Sequence, residues 1–228
     1  MNDDAIKIAP TARIYPNTRL GAGTVVGDWV IIGEPPKGCA EGELETVIGD
    51  NSVIRSHTVI YAGNTIGDNF QTGHGALVRE KNTIGNNVSI GSHTVIEHHL
   101  DIANGVRIHS AAFLPEYTVL EEDAWIGPHV VFTNVLHPMC HGVAKCIKGP
   151  HICRGAKIGA ASVILPHVVV GAMTVVGSGS VVVDNLPQRV VAAGNPAKII
   201  RSIDEIKCPW DYVEHPYPGP DDPRTNLR

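Results

Sequence analysis

Apolar residues recur every six positions along most of this chain. Ile8, Ile14, Leu20, Val26 and Ile32 form a first run; every sixth residue from Ile48 to Phe132 forms a second; Ile152 to Val182 forms a third. Of these 26 anchors, 24 are Ile, Leu or Val, types that make up only about a quarter of the chain. Twelve anchors are followed directly by Gly, as in Ile66-Gly67-Asp68-Asn69. A period of six fits neither the 3.6 residues of a helix nor a long alternating strand, and a fixed short period is the mark of a solenoid. Small or apolar residues four places after the anchor (Ala12, Ser52, Thr58, Ala76, Thr94, Ala112, Ser162, Ser180) fill the space beside it. Gly-Asn and Gly-Asp pairs are expected at the turns, because they tolerate positive φ or bond their own backbone. Three short strands then close one triangular coil of 18 residues, and coils stack in parallel about 4.8 Å apart.

The pattern resembles the left-handed parallel β-helix of the hexapeptide-repeat acyltransferases, an exception to right-handed crossovers. The expected fold is all-β, a left-handed parallel β-helix of about eight to nine coils over residues 1–187. Two segments fit no hexad, 38–47 and 138–151, and are expected to protrude as loops; loops of that length on a rigid frame are usually functional. Residues 188–228 are expected to form a short helix near Ala197–Ile206 and a Pro-rich tail, with Pro216 to Pro223 extended.

Composition narrows the classes. A net charge of −5 with no basic run argues against nucleic acid. No apolar stretch is long enough to span a membrane, and Met1-Asn2-Asp3-Asp4 does not open a signal peptide. Five cysteines, an odd number, read as reduced thiols in a cytoplasmic protein. Relatives of this fold are trimers, so the resemblance implies a homotrimer.

Residues 18 apart share a column, and one column runs Ala62, Glu80, His98, Glu116, Asn134. An imidazole between carboxylates suits a general base, while solvated turn residues are the plainer reading. Ile96-Glu97-His98-His99 through Gly127 is similar to the segment of UDP-N-acetylglucosamine acyltransferases whose His deprotonates the acceptor, which implies that role for His98, oriented by Glu116. Ile32-Gly33-Glu34-Pro35-Pro36 resembles early coils of the same family. Val131-Phe132-Thr133-Asn134-Val135 looks like nucleotide-amino-sugar N-acetyltransferases, which implies that Asn134 helps hold the sugar and that His109 faces the acceptor. Ala193-Gly194-Asn195-Pro196-Ala197-Lys198-Ile199-Ile200-Arg201 is similar to the tail of acetyl-CoA-using members. That likeness implies acetyl-CoA as donor, its pantetheine arm near Gly155, Ala160 and Ala161 and its phosphates near Lys198 and Arg201.

Rival chemistries remain open. His137-Pro138 resembles the catalytic His-Pro of galactoside-type O-acetyltransferases, making His137 a second candidate base and a sugar hydroxyl a second candidate acceptor. His137, Cys140 and Cys146 also have the donor types of a structural zinc site in the 138–151 loop, and a zinc ligand cannot be the base. His57, His93 and His98 match the intervals of γ-class carbonic anhydrase ligands, although each sits one place late in its hexad and Asn51 stands where that class has Arg. A non-catalytic scaffold is the other alternative. The expected activity is acetyl transfer to an amino or hydroxyl group of a sugar, nucleotide-linked in the preferred reading.

Overall fold

A computed structural model describes residues 5–217, so Met1–Asp4 and the tail beyond Tyr217 lie outside the described residues. Each of the 26 anchors falls in its own short strand, from Lys7–Ile8 to Val181–Val182. Every third strand joins the same sheet, giving parallel sheets of eleven, nine and eight strands that form the three faces of a prism. In the nine-stranded sheet Leu77 pairs with Val59 on one side and Val95 on the other, both 18 residues away. Three strands make one coil, and with Val190–Gly194 continuing the stack the solenoid has about ten turns, slightly more than the hexads alone count.

From Val26 onward the apolar anchors form one continuous core, in which Ile54, Ile60, Ile66, Ile96 and Phe132 are essentially inaccessible, while Ile8 in the first coil is exposed. Burying each such side chain contributes roughly 1.5–3 kcal/mol. The residues four places on are buried beside them, including Ser52, Thr58, Thr94, Ser162 and Ser180. The hydroxyls of these five bond backbone carbonyls, as in Thr94 Oγ1 to the His109 carbonyl at 2.9 Å.

The turns differ in detail from expectation. The left-handed residue is the one three places after the anchor, and it is often not glycine: Asn51, His57, Asn69, His93, His99, Tyr117 and His129 all have φ between 55° and 64°. The glycine directly after the anchor is needed for a different reason. A Cβ on Gly91 would lie 2.3 Å from the Ser110 nitrogen, because the next coil passes directly against it. The Asn and Asp side chains bond across coils rather than to their own backbone. Asp68 Oδ1 accepts the Asp50 amide and Asn86 Oδ1 accepts the Asp68 amide, both at 2.8 Å.

Both register breaks leave the prism, with bounds slightly narrower than the sequence indicated. Thr46 and Val47 belong to the strand Thr46–Ile48, and His151 belongs to His151–Ile152. The second loop holds one 3-10 turn, Val143–Lys145. The helix expected near Ala197–Ile206 is instead a strand, Ala197–Ser202, followed by a single 3-10 turn, Ile203–Glu205. That strand pairs antiparallel with Val190–Gly194, which itself continues the eleven-stranded sheet from Val175–Val176. An exposed sheet edge was available, and β-branched Ile199 and Ile200 suit it better than a free helix.

One feature of the surface went unread in the sequence. The outward positions of the nine-stranded sheet carry Ile31, Val59, Leu77, Val95, Phe113, Val131, Val163 and Val181, stacked in register. Phe113 and Val131 are exposed.

Candidate active site

The prism edge between the nine- and eight-stranded sheets gathers the expected column. His98 leaves the strand Val95–Ile96 at this edge, and Glu116 occupies the same place one coil on. His98 Nε2 lies 3.4 Å from Glu116 Oε1, and both side chains are about three-quarters covered. Asn134 Nδ2 donates to Glu116 Oε2, fixing the second carboxylate oxygen. Asn134 therefore holds the carboxylate that faces the imidazole, a task the sequence did not suggest for it.

His99 is part of the arrangement and was overlooked. Its Nδ1 lies 2.8 Å from His98 Nδ1, so the two rings share one proton there. His99 stacks on Tyr117 at 5.6 Å between centroids. Burial, followed by the charges of His98 and Lys81, pushes the His99 pKa below its ordinary 6.5. At the Nδ1–Nδ1 contact one ring must donate and the other accept, and His98 Nε2 stands at ion-pair distance from the Glu116 carboxylate.

Arg79 closes the other side. It makes paired bonds to Glu80, at 2.9 and 3.0 Å, and reaches Glu97 Oε2 at 3.2 Å. Burial opposes ionisation of Glu80, but the Arg79 hydrogen bond, its own backbone and the charges of Arg79 and His98 together hold its carboxyl low. Glu80 is thus spent on Arg79, and Glu116 is the carboxylate within reach of His98 Nε2. Beneath the edge, buried Asn82 accepts the Leu100 amide through Oδ1 at 2.7 Å and donates to the Arg79 carbonyl at 2.8 Å. It ties down the turn that presents His98 and His99.

The remaining expected residues fall elsewhere. His137 and Cys140 are exposed in the loop, as is Cys146. Among the described residues, two groups of three metal-type donors converge within 4.8 Å, Glu97/His98/Glu116 and Glu121/His151/Cys153, and the loop triplet is not one of them. His109 packs on Trp125 at 4.6 Å, at the edge between the eleven- and nine-stranded sheets, with Nε2 buried and unpaired. Burial and then the Arg107 charge lower its pKa. His57 and His93 occupy left-handed turn positions at that same edge, across the strand Val95–Ile96 from His98. Within one chain the three carbonic-anhydrase-type histidines therefore do not meet at one point, whereas that class places its metal between subunits. The amides of Gly155 and Ala161 donate to the Glu122 and Pro128 carbonyls, both at 2.9 Å, which leaves Ala160 as the amide of that trio outside the ladder. Lys198 and Arg201 are exposed on the hairpin strand.

No family model matches the chain. Over 48 residues it is 58% identical to a 2,3,4,5-tetrahydropyridine-2,6-dicarboxylate N-acetyltransferase of Clostridium perfringens, covering 21% of this chain and 20% of that protein. It is 37% identical over 100 residues to serine acetyltransferase 4 of Arabidopsis thaliana, covering 42% of this chain and 27% of that one. Galactoside O-acetyltransferase of Escherichia coli matches at 36% over 95 residues, 40% of this chain and 47% of that protein. The chain thus spans from a fifth to less than half of the length of these curated relatives. The structure of Arabidopsis UDP-N-acetylglucosamine acyltransferase superposes with a TM-score of 0.51 at 19% identity, covering 86% of this chain and 74% of that one, a likeness of fold. The hexapeptide register, interrupted twice, and the parallel β-helix it builds match the fold of the hexapeptide-repeat acyltransferases, and the relatives that share parts of this chain are named acetyltransferases.

Proposed function

We propose that this protein transfers an acetyl group from acetyl-CoA to the amino group of a sugar, nucleotide-linked in the preferred reading, with His98 as the general base. The observation that carries the reading is the chain Asn134–Glu116–His98–His99 on one solvent-open edge. Relatives named as acetyltransferases, one of them acting on galactosides, support the reaction class and a sugar acceptor. The Gly194-Asn195-Pro196-Ala197-Lys198 tail supports acetyl-CoA as donor.

The incoming amine must be uncharged to attack. In this scheme it takes the place of His99 beside His98 Nδ1, the nitrogen that carries the lone pair. The amine nitrogen bonds to the thioester carbonyl carbon, and its proton passes to Nδ1. The His98 imidazolium so formed is stabilised by Glu116 at Nε2. The C–S bond then breaks, and the CoA thiolate leaves and is protonated. The lowered pKa of His99 disfavours a second positive charge beside the base as it takes that proton. Lys198 and Arg201 supply cations for the cofactor phosphates.

The apolar outward row from Ile31 to Val181 supports assembly as a homotrimer through the nine-stranded sheet. That sheet ends at the His98 edge, so a neighbouring copy would wall the open side of the site. A cleft of about 540 Å³, lined by Asn69, Gln71, Asn87, Ser89 and Arg107 among others, lies along the eleven-stranded sheet instead. It is remote from the base and has no part in the proposed reaction.

The test is a thermal-shift panel followed by a turnover assay. A ligand at 100 times its Kd should stabilise the protein by about 2.7 kcal/mol. Acetyl-CoA and free CoA are expected to do so, and UDP- or TDP-linked amino sugars should then release free CoA thiol. No shift with either CoA species would reject the donor; release only with non-amino sugars would move the acceptor to a hydroxyl.

A further inference from the structure

A second cluster lies on a different edge, between the eight- and eleven-stranded sheets. His151 and Cys153 flank the buried anchor Ile152, so both project outward from one strand. Glu121 follows the anchor Leu120 on the adjacent coil, and its amide donates to the Ile152 carbonyl at 2.9 Å. The three side chains thus meet on a rigid backbone frame. Glu121 Oε1 lies 2.7 Å from His151 Nε2, and one donor atom from each of Glu121, His151 and Cys153 lies within 4.8 Å of the others.

We infer that Glu121, His151 and Cys153 bind a divalent transition metal of the zinc type. Zinc takes thiolate, imidazole and carboxylate at about 2.0–2.3 Å, which corresponds to donors roughly 3.3–3.8 Å apart around a tetrahedron. The observed spacing brackets that range, so modest side-chain rotation completes the site. Glu121 is already aimed, because its other oxygen accepts the Arg154 amide at 2.8 Å and leaves Oε1 directed at the imidazole. Such outer-sphere anchoring is what metal carboxylates generally have. Glu121 and His151 are partly exposed, and an open cleft of about 460 Å³ lined by Ala103, Glu121, Glu122, Arg154 and Ala172 adjoins them. The ion has a path in and a fourth position for water. Binding exchanges the Cys153 thiol proton for the metal and releases that proton to solvent.

The position suggests what the ion does. Strand 119–120 pairs directly with strand 151–152, although the long second loop separates them in sequence. A metal held by Glu121 on one side and His151 and Cys153 on the other staples the two coils across that excursion. Closing long loops is where such a clip removes most chain entropy. The coils adjoining the His98 edge are then held in register through the same interruption, without the metal touching that edge.

The test uses full-length protein stripped with chelator and titrated with Co(II). One equivalent per chain should produce a thiolate-to-Co(II) charge-transfer band, displaced by Zn(II), and Zn(II) should raise the Tm. Cys153→Ser should abolish the band, whereas a Cys140→Ser/Cys146→Ser variant and a His98→Ala variant should retain it. Glu121→Gln, which keeps the thiol, should weaken Co(II) by at least the roughly 10–100-fold that even an outer-shell loss costs. No band in the wild-type protein, or a band that survives Cys153→Ser but vanishes with the loop cysteines, overturns the inference. These results are independent of acetyl transfer.

Discussion

Replacing Asn82 by Ala should both loosen the fold and disorder the active edge. Asn82 is 1% exposed, so what it satisfies has no access to water. Its Oδ1 accepts the Leu100 amide at 2.7 Å, and Leu100 is equally buried. Truncation strands that donor at roughly 1–3 kcal/mol. The Arg79 carbonyl also loses a donor but keeps the Asn64 Nδ2 bond at 2.8 Å, so only an ordinary hydrogen bond of about 1 kcal/mol disappears there. Together the loss is about 2–4 kcal/mol. Urea unfolding at fixed protein concentration measures it, and amide exchange at Leu100 locates it. Because Leu100 directly follows His98 and His99, the variant should also lose turnover out of proportion to any change in acetyl-CoA affinity. A destabilisation under about 0.5 kcal/mol with unchanged Leu100 protection would refute this account of how the edge is held.

Other consequences follow from charge and surface. His99 resists protonation in the folded protein while the unfolded chain does not, so as pH is lowered through the ordinary pKa of 6.5 the unfolded state binds more protons and stability decreases. A His99→Gln variant, compared by urea unfolding from pH 7.5 to 5, should show a shallower decline; an identical slope would remove His99 as a cause. Phe113→Glu, placed mid-row on the apolar face, should convert a trimer to monomer by light scattering with little change in far-ultraviolet dichroism. A wild-type protein that is already monomeric would contradict the proposed interface.

Much of the architecture was legible because burial enforces the period-six pattern in every coil after the first. The anchors from Ile8 to Val182 predict all the solenoid strands, and the 18-residue return places His98 beside Glu116. Elsewhere the reading stopped for identifiable reasons. The C-terminal strand Ala197–Ser202 owes its conformation to a free sheet edge, a tertiary circumstance that local propensity does not report. Glu121 and His151 escaped column counting because the second loop stretches their separation to 30 residues instead of about one coil. His99 takes a left-handed turn position with φ of 60°, and only the side-chain geometry shows it bonded to His98. Asn134 was assigned to the acceptor by likeness, whereas its amide is turned towards Glu116. The pantetheine amides were chosen by likeness too, and two of the three are consumed by the coil-to-coil ladder.

The central claim is tested most directly by the steady-state rate of acetyl transfer in His98→Ala, with folding and acetyl-CoA binding verified. If His98 is the base, kcat falls roughly 10²-fold or more while acetyl-CoA still stabilises the protein. A kcat equal to that of the wild type would contradict the account and leave the imidazole at this edge without a chemical role.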